Sequence, residues 1–185
     1  MPRAFVAIDI NEAVRQKLIA IQQQLATTGA QLKLVEPGNI HVTMKFLGDV
    51  PSDKISAVAD ALRVAASGAQ SFDINVRGIG VFPNLRYIRV VWAGVVDGRD
   101  AVIALQRNID RELQKLGFSP EHDFVPHLTL ARVKTARHKE QLVSFSKEMS
   151  DMEFGVTRAQ AVELKQSTLT PKGPIYSTLA SIELG

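Results

Sequence analysis

The tetrapeptide His41-Val42-Thr43-Met44 is matched in type by His127-Leu128-Thr129-Leu130, with 127 following 41 by 86 positions in a chain of 185 residues. Each reads His, apolar, Thr, apolar, and each falls in a run with strand character. Successive side chains of a strand point to opposite faces. Imidazole and hydroxyl therefore share one face, and Val42/Met44 or Leu128/Leu130 fill the other. A polar face of this kind suits the wall of a cleft better than a core. Two such walls can supply one imidazole as general base and a second as general acid, a pairing suited to phosphodiester cleavage. Histidine titrates near 6.5 when unperturbed, so both tasks can be done near neutral pH. The rate should then follow a bell-shaped pH profile whose limits belong to the coupled pair. A lone His in a strand is usually structural. Here two of the four histidines fall in one repeated pattern, which favours function.

Phosphoryl transfer builds negative charge on the non-bridging oxygens, and fixed hydroxyl or cationic donors lower that barrier. Thr43 and Thr129 stand two positions beyond each His, on the same face, and fit that role. Arg132 is five positions beyond His127. Strict alternation puts it on the opposite face, and a bulge or a strand end would be needed to return it to the cleft as a phosphate contact. The corresponding place after the first motif holds Lys45 and Phe46. His122 and His138 lie outside the pattern and read as structural or solvated. No Asp, Glu or Cys flanks either motif His, whereas a metal site wants a third ligand and closer spacing. Neither a metal nor a cofactor is expected.

The elements that must hold these residues read as an alternation of strands and helices. Ala4–Ile10 is an apolar strand. Asn11 is placed to cap a helix carrying Val14, Leu18, Ile21 and Leu25. Leu32–Val35 is a short extended piece before a turn at Pro37-Gly38, and Ile40–Leu47 is the first motif strand. Ser52 is placed to cap a second helix. Phe72–Gly80 alternates as a half-exposed strand, Val81–Asn84 reads as a loop, and Tyr87–Val96 as a strand. A helix from about Arg99 to Leu116 ends at Gly117. Phe124–Val133 is the second motif strand, Thr135–Met149 a surface helix, and Phe154–Gln166 and Ile175–Leu184 the last strands. Strand, helix, motif strand, helix, strand occurs twice. The expectation is an α+β fold: a single domain over residues 1–185 made of two pseudo-symmetric lobes, with two mostly antiparallel sheets around a central cleft and helices on the outer faces.

Composition agrees with a chain that buries a real core: 45% of residues are hydrophobic and 22% charged. The formal net charge is +3, which permits a polyanionic partner without demanding one. Cysteine is absent, which rules out disulfides and fits a reducing, cytoplasmic setting. No apolar run reaches membrane-spanning length, and the N-terminal run is cut by Asp9 too early for a secretory signal.

Four strings together resemble the two-histidine (2H) phosphoesterases, in particular their RNA 2′,3′-cyclic phosphodiesterase branch, also known as 2′-5′ RNA ligase. They are Ile40-His41-Val42-Thr43-Met44-Lys45-Phe46-Leu47-Gly48, Gly78-Ile79-Gly80-Val81-Phe82-Pro83-Asn84, His127-Leu128-Thr129-Leu130-Ala131-Arg132, and Ser167 through Tyr176. The resemblance implies hydrolysis of a terminal 2′,3′-cyclic phosphate to a 2′-phosphate without metal. It implies His41 as proton donor, His127 as proton acceptor, and Thr43, Thr129 and Arg132 on the phosphate. It also implies RNA ends, including tRNA halves, as partners. A monomer is the expected state. Phe46, Phe82 and Tyr176 are candidate ribose or base contacts, set against an ordinary role as core aromatics. A 2H esterase of small cyclic nucleotides and a non-catalytic RNA-end binding module are the alternatives.

Overall fold

The computed structural model describes all residues, Met1 to Gly185. In chain order the elements are β1 (Arg3–Ile8), α1 (Glu12–Ala26), β2 (Leu32–Leu34), β3 (Val42–Asp49), α2 (Ile55–Ala66), β4 (Phe72–Asn84), β5 (Tyr87–Val95), α3 (Arg99–Gln114), β6 (His127–Val133), α4 (Lys139–Glu148), β7 (Glu153–Ala159), β8 (Ala161–Thr170) and β9 (Gly173–Glu183). Local chemistry accounts for several boundaries. The Asn11 side chain accepts a hydrogen bond from the Val14 amide at 2.9 Å and starts α1. Val14, Leu18, Ile21 and Leu25 then recur on its buried stripe. β1 is buried from Ala4 through Ile8, on both faces, which is why it reads as an unbroken apolar run.

All strand pairings are antiparallel, in the order β7-β4-β5-β6-β3-β1-β8-β9, with β2 added against β6. Two four-stranded halves meet between β6 and β3. The only paired residues at that seam are Val42 and Leu128. The two expected sheets are thus joined into one path by the narrowest ladder in the molecule. Helices α2 and α3 pack together, with α2 on β8 and β9 and α3 on β3, while α1 lies on β6 and β7 and α4 on β4.

The halves of the sheet are not the halves of the chain. β4 lies beside β5 and β7, in the half that holds β6, and β8 and β9 complete the half that holds β1 and β3. Phe72–Asn84 therefore has β8, not β7, as its counterpart when both halves are counted outward from the seam. Three further expectations change. Residues 81–84 continue β4, with the register shift at Phe82/Pro83 tolerating the proline. Asn84 Oδ1 then accepts from the amides of Arg86 and Tyr87 to close the hairpin. The run Phe154–Gln166 splits into β7 and β8, which sit at different places in the sheet. Ser52 begins a short 3₁₀ turn and makes no capping hydrogen bond to α2.

One buried ion pair ties the two motif strands together. Lys45 of β3 is buried and donates to Asp110 of α3 and to the Ser119 carbonyl. Asp110 also accepts from the Glu121 amide and from Gln114. The segment leading into His127 is thereby pinned to the strand that follows His41. Removing one partner of such a pair strands a charge in a low-dielectric site, at a cost of about 3–5 kcal/mol. Asp110→Ala is expected to destabilise the fold by about that amount in urea denaturation, whereas Lys45→Met combined with Asp110→Leu recovers most of the stability. A single-variant cost below about 1 kcal/mol would show that the pair is not structural.

Candidate active site

The seam is where the two motifs meet. Extending the Val42–Leu128 register by one residue in each direction sets His41 opposite Thr129 and Thr43 opposite His127. Val42, Met44, Leu128 and Leu130 are all buried in the core, so the two histidines and two threonines share the other face. The histidines occupy a diagonal of this four-residue patch. An ordinary antiparallel ladder spaces diagonal neighbours by about 7–8 Å, enough for a phosphate between the rings.

A matching bulge follows each motif. Val91 pairs with Ala131 but Trp92 with Thr129, so β6 carries one extra residue. Leu130 and Ala131 are consequently both buried, and Arg132, exposed, is returned to the cleft face. On β3, Val6 pairs with Lys45 but Ala7 with Thr43, Met44 and Lys45 are both buried, and Phe46 emerges at 70% exposure. Phe46 and Arg132 thus occupy equivalent positions, each five residues after its His. A cleft opens here, lined by His41, Thr43, Phe46, Thr129, Arg132 and Tyr176, with Lys33, Glu36 and Lys172 completing it. His127 is set back from that lining, two residues before Thr129 on the same strand face.

Each imidazole is held by aromatic rings. His41 stacks on buried Phe5, with centroids 5.1 Å apart, and meets the edge of Tyr176 at 5.5 Å. His127 meets Phe82 edge-on at 4.9 Å and Trp92 at 6.3 Å. The Trp92 indole lies across Gly80, where any Cβ would collide with the ring. Phe82 and Tyr176 therefore pack on the imidazoles themselves, and of the two only Tyr176 also lines the cleft. Phe5 and Trp92 are additions to the residues picked out by sequence. Sequence shows Phe5 only as part of a strand, and Trp92 only as part of a β-rich run.

Hydrogen bonds set the ring states. His127 Nδ1 lies 2.7 Å from the Val125 carbonyl. A carbonyl only accepts, so Nδ1 carries the proton, and Nε2 of the neutral ring offers a lone pair. His41 Nε2 lies 2.8 Å from Thr43 Oγ1. Burial first, and then the charge of Lys165, lowers the His41 pKa from 6.5 to about 4, against the opposing effects of Asp9 and the Asn39 backbone. Lys165 is fixed by Asp9 at 3.0 Å and Glu163 at 3.1 Å. Burial also lowers the His127 pKa, aided by Arg132 and opposed by the Val125 carbonyl. Without ligand, both rings are neutral at pH 7. Bound anion would favour protonation of either. No group of three His, Cys, Asp or Glu side chains is placed to hold a metal ion.

Comparison with known proteins places this architecture. The family model described as LigT like Phosphoesterase matches residues 8–92 and again residues 94–176. The chain belongs to the LigT-like phosphoesterase family. His41 lies 33 residues after the start of the first match and His127 33 residues after the start of the second. The RNA 2′,3′-cyclic phosphodiesterase of Methanothermobacter thermautotrophicus is 45% identical over 182 residues, 98% of each chain. That of Methanocaldococcus jannaschii is 39% identical over 177 residues, 96% of this chain and 98% of its own. Among solved structures, TT0787 of Thermus thermophilus superposes with a TM-score of 0.81 at 26% identity, covering 98% of this chain and 97% of its own.

The depressed pKa values carry a sign. The unfolded chain binds protons at His41 and His127 near 6.5, and the folded chain only at lower pH. The stability linked to these groups is therefore complete above pH 6.5 and is lost as pH falls, for His41 down to about 4. NMR titration of the free protein should show His41 titrating near 4 and His127 below 6.5, and inorganic phosphate should raise both. Titration of His41 at or above 6.5 in the free protein would contradict the burial and the Lys165 field described here.

Proposed function

We propose that the protein hydrolyses the 2′,3′-cyclic phosphate at the 3′ end of an RNA strand to a 2′-phosphate, using His41 and His127 as acid and base. The observation that carries this reading is the crossing of the two motif strands at Val42 and Leu128, which gathers two imidazoles and two hydroxyls on one face. The relatives named RNA 2′,3′-cyclic phosphodiesterase support the substrate class.

In this reading the phosphate sits between Thr43 and Thr129 with Arg132 beside it. Water attacks phosphorus in line with the 3′-oxygen. His127 Nε2 takes a proton from water, His41 gives one to the departing 3′-oxygen, and the P–O3′ bond breaks. The 2′ ester remains. The lone pair left free on His127 by its bond to Val125 suits the base. The low pKa of His41 makes its imidazolium a strong acid once the anion has drawn a proton to it. The two hydroxyls and Arg132 meet the growing charge on the non-bridging oxygens. Phe46, exposed at the cleft opposite Arg132, offers a face on which the terminal base stacks.

A ribose 5′-hydroxyl in place of water gives a 2′-5′ linkage, and the cyclic ester itself supplies the activated bond, so joining RNA ends such as tRNA halves needs no nucleotide. We assign the protein to the cytoplasm as a monomer. The absence of cysteine supports that compartment. No helix is long and apolar enough to cross a membrane.

The test is an oligoribonucleotide ending in a 2′,3′-cyclic phosphate, incubated in EDTA, with the position of the product phosphate determined. A 2′-phosphate is expected, and a 3′-phosphate would reverse the leaving-group assignment. His41→Ala and His127→Ala should each lower kcat by at least about 100-fold, and Thr43→Val or Thr129→Val by about 100-fold. Turnover within a few-fold of wild type in either His variant would dismiss the acid–base pair. For wild type, kcat/KM should peak on the acid side of neutrality, because both histidines titrate below 6.5 in the free protein.

A further inference from the structure

A second groove lies against the outer ends of β5 and β6 and the start of α4. Arg86, Arg89, Lys134 and Lys139 line it, with Tyr87 among them and buried Ile88 and Leu142 at its base. No acidic side chain lines the groove. None of its four cations is ion-paired, although ion pairs are frequent elsewhere, from Arg15–Glu12 to Lys165–Asp9. Tyr87 is 58% exposed, and the Arg89 guanidinium lies 5.9 Å from its ring centroid.

The groove neighbours the cleft along β6. Arg132 lines the cleft, and the next two residues of the chain, Val133 and Lys134, line the groove. On the neighbouring strand, Arg132 pairs with Val90, the residue after Arg89. Uncompensated charge of one sign over a low-dielectric floor concentrates field and draws in the opposite charge. Cations beside an exposed aromatic ring, set along a channel, are the features that hold a single nucleic-acid strand without reading its sequence.

We propose that this groove holds the body of the RNA substrate, binding backbone phosphates on the 5′ side of the terminal cyclic phosphate seated in the cleft. This rests on the reading of the cleft given above. Arg132 then stands at the junction, with the terminal phosphate on one side and the preceding nucleotides running towards Lys134 and Arg89.

The experiment compares a nucleoside 2′,3′-cyclic phosphate with a short single-stranded oligoribonucleotide carrying the same end, using wild type and the variant Arg86→Gln/Arg89→Gln/Lys134→Gln. All three side chains are exposed and none belongs to the cleft. The variant should raise KM for the oligonucleotide by about tenfold or more and leave kcat on both substrates, and KM on the mononucleotide, within about twofold. The dependence of oligonucleotide kcat/KM on log salt should become shallower by about 0.7 for each backbone phosphate that the variant no longer neutralises. Unchanged KM and salt slope on the oligonucleotide, or equal losses on both substrates, would overturn the assignment. A wild type that hydrolyses neither substrate would fail the reading of the cleft instead. Fluorescence anisotropy of a labelled oligonucleotide then tests the groove directly: weaker, less salt-dependent binding by the variant supports it, and equal binding refutes it.

Discussion

The molecule is organised around a single antiparallel contact, Val42 against Leu128. On one side of that contact the strands bury Val42, Met44, Leu128 and Leu130 in the common core, and on the other they present His41, Thr43, His127 and Thr129. Register does the positioning. A slip of one residue would carry every one of these side chains to the wrong face, so the core that stabilises the fold and the patch that faces the cleft are set by the same alignment. The paired bulges extend this logic by one step. They commit Lys45 and Ala131 to the interior and deliver Phe46 and Arg132 to the cleft at equivalent places. A nearly symmetric frame thereby offers an aromatic surface on one side of the cleft and a cation on the other.

The aromatic surroundings of the two rings explain their electrostatics. Phe5 and Tyr176 around His41, and Phe82 and Trp92 around His127, exclude water while leaving few groups able to stabilise an imidazolium. Both rings are held neutral as a result. A bound anion would favour protonation of either ring. The Asp9–Lys165–Glu163 group beside His41 keeps that balance by fixing a cation near the ring and surrounding the cation with carboxylates.

The site is more legible in the sequence than the sheet is. The two-residue period of a strand is short, so His-x-Thr-x shows its facing directly, and the recurrence of the string removes most of the ambiguity of a lone His. The side taken by Arg132 depends on a bulge, which leaves no mark in residue type: Leu130-Ala131 and Met44-Lys45 share no signal beyond their offset. The same gap hides the equivalence of Phe46 and Arg132. Phe5 and Trp92 reach the histidines across strands, and single-chain periodicity carries no information about partners. The break between β7 and β8, at Ala159-Gln160-Ala161, has neither Gly nor Pro to announce it. The placement of β4 in the half that holds β6 follows from its hairpin with β5, which is hidden when residues 81–84 read as a loop.

That placement interlocks the polypeptide. If the backbone were severed at the Leu85–Arg86 turn, the N-terminal piece would keep β1 to β4 and the C-terminal piece β5 to β9. β4 would still lie between β5 and β7, β1 against β8, and β2 and β3 against β6. Each fragment would own one motif histidine, and five of the eight ladders would run between the two pieces. The shared ladders would be what holds the two pieces together, so reassembly of the halves and reconstitution of the histidine pair would be one and the same event.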